Sequence, residues 1–77
     1  MAIGYVLITT EPQKEKIVLD YLKKLDEITE TTPLFGEYDI IAKLEAEKYS
    51  DLGQIVIEKI RKNKYINDTK TLTVIDL

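Results

Sequence analysis

Phe35-Gly36-Glu37-Tyr38-Asp39-Ile40-Ile41-Ala42-Lys43-Leu44-Glu45-Ala46 is the stretch that decides the fold of this 77-residue chain. After a tight Gly36-Glu37 turn, Tyr38, Ile40, Ala42, Leu44 and Ala46 alternate with Asp39, Lys43 and Glu45, broken only by Ile41. Successive side chains of a strand point to opposite faces, so this alternation predicts a strand over Tyr38–Ala46 with one face in a core. Upstream, Ile28–Phe35 holds three threonines and alternates loosely, as a strand polar on one side does. Pro33 cannot donate to a ladder, which predicts an edge or bulged strand there.

The rest of the chain falls into place around this pair. Ala2–Thr9 is rich in Ile, Val, Leu and Tyr and reads as a strand with both faces at least partly buried; Gly4 inside it points to close approach by a neighbour. Thr10 and Gln13 have the spacing of a capping box, and Pro12 fits a first helical turn, which predicts a helix running to about Leu25. Its apolar stripe is Val18, Tyr21, Leu22 and Leu25, supported by Ile17. Ser50 is placed to cap a second helix whose stripe is Leu52, Val56, Ile57 and Ile60, continuing toward Tyr65. Ile66–Leu77 is Thr-rich and β-branched and reads as a closing strand.

The resulting order, βαββαβ, predicts an α+β ferredoxin-like sandwich: a four-stranded antiparallel sheet with both helices on one face, forming a single domain over residues 1–77. The opposite sheet face is then bare, and the same face of a second copy is its natural cover, so a homodimer through the sheet is expected. Size points the same way. With 44% hydrophobic residues and no cysteine, a domain this short has a small core and no disulfide to reinforce it.

Composition closes off many functions. Fourteen acidic residues against eleven basic ones give a formal charge of -3, so the net positive field that attracts phosphate backbones is missing and direct nucleic-acid binding is not expected. Without cysteine or histidine there is no thiolate chemistry and none of the commonest metal ligands; no metal and no cofactor is expected, and acidic pairs such as Asp26-Glu27 read as solvated surface. The longest apolar run, Tyr5–Ile8, is far too short to span a bilayer, and no basic stretch precedes it, so a cytoplasmic protein is expected. Other users of this fold lack their parts here. A heavy-metal carrier needs a thiol pair where this chain has Thr9-Thr10-Glu11-Pro12, an acylphosphatase-like enzyme needs an arginine cradle where the only arginine is Arg61, and an RNA-recognition module needs stacking aromatics where the third strand offers Tyr38 alone.

Two motifs remain: Phe35-Gly36-Glu37-Tyr38-Asp39, opening the alternating strand, and Asn67-Asp68-Thr69-Lys70-Thr71, running into the last one. Together with the element order they resemble the effector-binding domain of the Lrp/AsnC (leucine-responsive, "feast/famine") transcription regulators over essentially the whole chain. Full-length members of that family carry a helix-turn-helix domain ahead of this unit, whereas here the first strand begins at Ala2, so a stand-alone form is expected. The resemblance implies a non-enzymatic module that binds an amino acid or similar small effector between dimers and assembles to rings or discs, often octamers, with co-assembly onto DNA-binding relatives as a further implication. It also implies that the latter half of a neighbouring helix closes the pocket, here Lys59, Arg61 and Asn63, with Thr69 and Thr71 on the matching last-strand motif.

Independently of the family, a free amino acid wants a carboxylate for its ammonium and N–H donors for its carboxylate. Asp39 supplies the first and the Gly36–Tyr38 backbone the second. Phe35 and Glu37 complete that loop. Each residue also has a plainer reading: Gly36 as a turn glycine, Asp39 as an acceptor for nearby backbone N–H groups, Tyr38 as interface packing, Lys59 and Arg61 as solvated charges, Thr69 and Thr71 as ordinary strand residues. Two other functions compete, a structural assembly module with an empty pocket and a small dimeric α+β barrel enzyme. The latter requires a deep apolar cavity ending in a polar group such as Tyr5 or Tyr21.

Overall fold

A computed structural model describes all residues 1–77. Strand β1 spans Ala2–Thr10, helix α1 Glu15–Lys23, β2 Ile28–Pro33, β3 Ile40–Ala46, helix α2 Tyr49–Ile55 and β4 Ile66–Thr73. Helix α2 runs on without interruption into a π-helical turn, Val56–Ile60. The strands form one antiparallel sheet in the order β2-β3-β1-β4. This is the expected ferredoxin-like α+β sandwich.

β1 is the organising strand because its alternation is strict. Ala2, Gly4, Val6, Ile8 and Thr10 are buried toward the helices, while Ile3, Tyr5, Leu7 and Thr9 lie half-buried on the outer face. Its neighbour β3 matches this, with Ile40, Ala42 and Leu44 inside and Ile41, Lys43 and Glu45 outside. Val18 and Leu22 of α1 and Leu52, Ile55, Val56 and Ile60 of the second helical segment close over that inner face. Cross-strand partners share a face, so the register gathers Ile3, Tyr5, Leu7, Ile41 and Leu72 into an uncovered apolar band, flanked by Lys43, Glu45 and Lys70.

The edges are of different character. β2 is an edge strand, as Pro33 requires, and its register slips between Ile28 and Glu30. The other edge, β4, ends at Thr73; Val74 N–H still donates to Ile3 O at 2.9 Å, after which the chain leaves β1, so the strand stops short of Leu77, where the sequence pattern put its end.

Further expectations are corrected. β3 begins at Ile40 rather than Tyr38 and β2 ends at Pro33 rather than Phe35, because residues 34–39 form the loop between them. Thr10 is no helix cap: it ends β1, and Pro12-Gln13 forms a tight turn in which Gln13 takes φ +67° and Lys14 N–H donates to Glu11 O at 3.1 Å. Helix α1 therefore starts later, at Glu15, without a side-chain cap. Ser50 lies inside α2 and caps nothing, since the helix begins at Tyr49. Ile57 is not in the core stripe but 64% exposed, and Ile55 takes its place.

Gly4 is required by packing. A Cβ there would stand 3.2 Å from Leu52 Cδ1 and 3.3 Å from the Leu72 carbonyl oxygen, and the latter belongs to backbone that cannot swing aside. Gly4→Val is expected to lower stability by about 2 kcal/mol through overpacking, read as a lower urea midpoint with unchanged slope.

Candidate functional site

Three loops meet at the end of the sheet where β1 finishes. The β1–α1 turn is tied to the α2–β4 loop by Glu11 N–H donating to Tyr65 O at 2.8 Å. The β2–β3 loop is tied to β1 by Asp39, whose N–H donates to Ile8 O at 2.9 Å and whose Oδ2 accepts from Thr10 N–H at 2.8 Å. The buried Thr10 hydroxyl lies 3.4 Å from the same carboxylate oxygen. Leu34 N–H donates to Asp39 O at 2.8 Å, which closes the loop at its base.

Above that base Phe35, Gly36 and Glu37 form an exposed tip; Phe35 buries nothing and Gly36 sits at φ +142°, a conformation that side chains with a Cβ rarely adopt. Tyr38 and Asp39 are half-buried between tip and strand. Across β1, Ile8 pairs with Ile40 on one side and Thr69 on the other, so half-buried Thr69 belongs to the same end of the molecule; exposed Thr71 lies opposite Val6, one step further along.

The residues from the second helix divide. Asn63 is half-buried and its Oδ1 accepts from Tyr65 N–H at 2.9 Å, holding the turn into β4. Arg61 is exposed and forms no ion pair. Lys59 is drawn elsewhere: its ammonium pairs with Glu27 Oε2, and its carbonyl accepts from the Tyr21 hydroxyl. Glu27 immediately precedes β2, whereas the Phe35–Asp39 loop follows it. Six strand residues, about 20 Å, lie between them. Within one protomer Lys59 is thus not brought to the loop.

Cations also gather round Tyr65, with Lys14 Nζ and Lys64 Nζ 5.1 and 5.2 Å from the ring centroid. No three or more carboxylates converge as a metal site. Two open concavities exist, about 240 Å³ beside Lys23 and Ile28–Thr31 and about 220 Å³ lined by Met1, Ile3, Tyr49, Val74, Ile75 and Asp76. Neither includes the candidate residues. No helix is long and apolar enough to cross a membrane.

Sequence reasoning missed the structural partners of the site. Thr10 reads as a cap, Tyr21 as core stripe and Glu27 as solvated surface, yet these three hold Asp39 and Lys59 in place. Nothing local announces such pairings, because the partners are separated by 29, 38 and 32 positions.

The geometry defines an α+β sandwich with a bare apolar sheet face and, at one end, a glycine-tipped loop bearing a carboxylate. A family model described as the Lrp/AsnC ligand binding domain matches residues 3–76, and the chain belongs to that family. An uncharacterized HTH-type transcriptional regulator of Pyrococcus furiosus is 34% identical over 72 residues, covering 90% of this chain and 48% of the regulator. The chain spans about half the length of the curated relatives it matches. Among solved structures, a hypothetical protein from Pyrococcus horikoshii is 36% identical with TM-score 0.91, over 100% of this chain and 93% of that one. AsnC of E. coli is 27% identical with TM-score 0.91, over 99% of this chain and 52% of that one.

Pairing with Lys59, first through their hydrogen bond, holds the Glu27 carboxyl below its ordinary value of 4.5, and the same contact raises Lys59. A carboxyl depressed in the folded state stabilises above its unfolded pKa and loses that contribution as pH falls through the folded one. The wild-type thermal midpoint is therefore expected to drop on acidification below about pH 4.5, and Glu27→Gln to show a smaller drop over that window when both are followed by circular dichroism.

Proposed function

We propose that this chain is a small-effector sensing and assembly module of the Lrp/AsnC type, acting without catalysis in the cytoplasm. Two copies join through the outer faces of their sheets, dimers assemble further to an octameric ring, and an amino acid or similar small molecule binds where dimers meet. Co-assembly with DNA-binding relatives would pass the ligand signal to promoters. The family membership over residues 3–76 supports the class, and the Asp39 loop supports the ligand chemistry.

The carrying observation is the state of Asp39. Only Oδ2 is engaged by β1, while Oδ1 makes no hydrogen bond within the protomer. A carboxylate braced by one oxygen and free at the other is a pre-organised acceptor for an ammonium group. Gly36 leaves the neighbouring backbone N–H groups open to a carboxylate. The walls would come from Phe35, Glu37, Tyr38, Thr69 and Thr71, and from the end of α2 in an adjacent dimer, where Arg61 is the cation left unpaired beside Lys59 and Asn63. Binding would shift assembly only as far as the ligand prefers the assembled state.

A second reading has an observation of its own. Asp39, Lys59 and Asn63 each have a partner inside the protomer, as they would in an assembly module with no ligand. The barrel-enzyme alternative needs Tyr5 or Tyr21 at the end of an internal cavity; Tyr5 lies on the outer sheet face, and the Tyr21 hydroxyl sits on the Lys59 carbonyl.

Titration calorimetry with each of the twenty L-amino acids, followed by native mass spectrometry, tests the proposal. Saturable heat with at least one amino acid is expected, together with a mass of two or more protomers at micromolar concentration. Asp39→Asn keeps an acceptor for Thr10 while removing the charge, and is expected to weaken binding about tenfold or more with assembly intact. Heat from none of the twenty leaves the assembly-module reading. Separately, Leu7→Lys places a charge in the apolar band and is expected to give a folded monomer; a dimer unaffected by it refutes the sheet-to-sheet contact.

A further inference from the structure

The last turn of the second helix is π-helical, with Arg61 N–H donating to Val56 O at 2.8 Å rather than to Ile57. Val56-Ile57-Glu58-Lys59-Ile60 holds neither glycine nor proline to break an ordinary α-helix. The cause lies in the burial pattern. Leu52, Ile55 and Val56 face the core, and the next residue on that face of an α-helix, seven beyond Leu52 and about 20° from it in phase, is Lys59. An unpaired ammonium does not enter an apolar core. Ile60, one position later, is fully buried instead. Ile60 shares a face with Val56 in either kind of helix, but moving Lys59 off the core face takes one extra residue in the turn, and that is what a π-turn supplies.

Outside the core Lys59 is captured at two points. Glu27 pairs with its ammonium and the Tyr21 hydroxyl satisfies its carbonyl, one of the acceptors that a helix end leaves open. We infer that Lys59 is a positioning residue: excluded from the core and held by Glu27 and Tyr21, it widens the last turn of α2 and so sets the direction in which Arg61 and Asn63 leave the helix. One inserted residue turns everything beyond it by about 100° relative to an α-helix. Arg61 thereby owes its place in the candidate site to a side chain that is itself engaged elsewhere. The π-turn and the bond from Arg61 N–H to Val56 O are features of the protomer, while the consequence for a ligand rests on the effector reading above.

Through-hydrogen-bond N–C′ scalar couplings in the isotope-labelled protein test this directly. In the wild type the Arg61 amide is expected to couple to the Val56 carbonyl. In Lys59→Leu, whose side chain is free to enter the core, it is expected to couple to Ile57. Lys59→Arg keeps a cation for Glu27 and is expected to restore the Val56 coupling. An Arg61–Val56 coupling that survives in Lys59→Leu, or is lost in Lys59→Arg, overturns the assignment. If the wild type binds one of the twenty L-amino acids by calorimetry, Lys59→Leu is expected to lose about tenfold or more in affinity while Lys59→Arg retains it; equal affinities in all three overturn the consequence for the site. Absence of heat in the wild type removes the effector reading and leaves the couplings to decide the placement of Arg61.

Discussion

Every part of this molecule is referred to the ladder that β1 makes with both of its neighbours. Its hydrogen bonds bring together β3 and β4, which lie 20 residues or more apart in sequence, and its period of two sends Val6 and Ile8 into the core and Tyr5 and Leu7 to the opposite face. A register slip of one residue would exchange those sets, burying Tyr5 among the helices and exposing Val6. Gly4 and Thr10 pin the register at either end. Gly4 admits Leu52 and the β4 backbone at close range, and Thr10 takes the Asp39 carboxylate. The same ladder thus aligns the core, the uncovered face and the loops at one end.

The second constraint acts where helix and core disagree. A regular α-helix from Leu52 would bring Lys59 inward, and the chain yields by local widening rather than by burying the charge. Tyr21 from α1 and Glu27 from the loop after it make that outcome favourable. Glu27 Oε1 is shielded from water without a hydrogen-bond partner, so Lys59 at Oε2 is the side-chain contact that offsets the burial of this carboxylate, and the two hold each other. The short path between α1 and β2 is in this way coupled to the end of α2.

The architecture was legible because its signals are periodic. The Ile40, Ala42, Leu44 alternation, the β-branched run of β1 and the stripe of Val18 and Leu22 each report one element without reference to the others, and the element order leaves few topologies. What failed was chemistry with two explanations. Thr10 with Gln13 satisfies the capping pattern, yet Thr10 completes a strand and Gln13 turns at positive φ, because Pro12 favours a tight turn as readily as a first helical turn. A regular helix places Ile57 close to Val56 and Ile60, so periodicity predicts it in the core, yet it is exposed. The signal that could have corrected this is Lys59 in the core phase with Ile60 one residue late. The motif residues Phe35–Asp39, Thr69 and Asn63 do share one end of the protomer, but this follows from strand direction and not from their chemistry.

The charges bordering the apolar band bear on how two copies could meet. Lys43 lies on the outer face 3.8 Å from Glu30 and 4.0 Å from Glu45, both reached within its own sheet. Exposed, such contacts contribute little, since water screens them. Covered by a second sheet, they would matter more, because an unmatched charge there would oppose association. The Lys43 ammonium is matched within its own protomer, but the trio carries one net negative charge, which favours keeping exposed Glu30 in the solvated rim of such a contact. Apolar Tyr5, Leu7, Ile41 and Leu72 would then decide the strength of the contact and the flanking charges its alignment, a division of labour common to interfaces with an apolar centre and a polar rim.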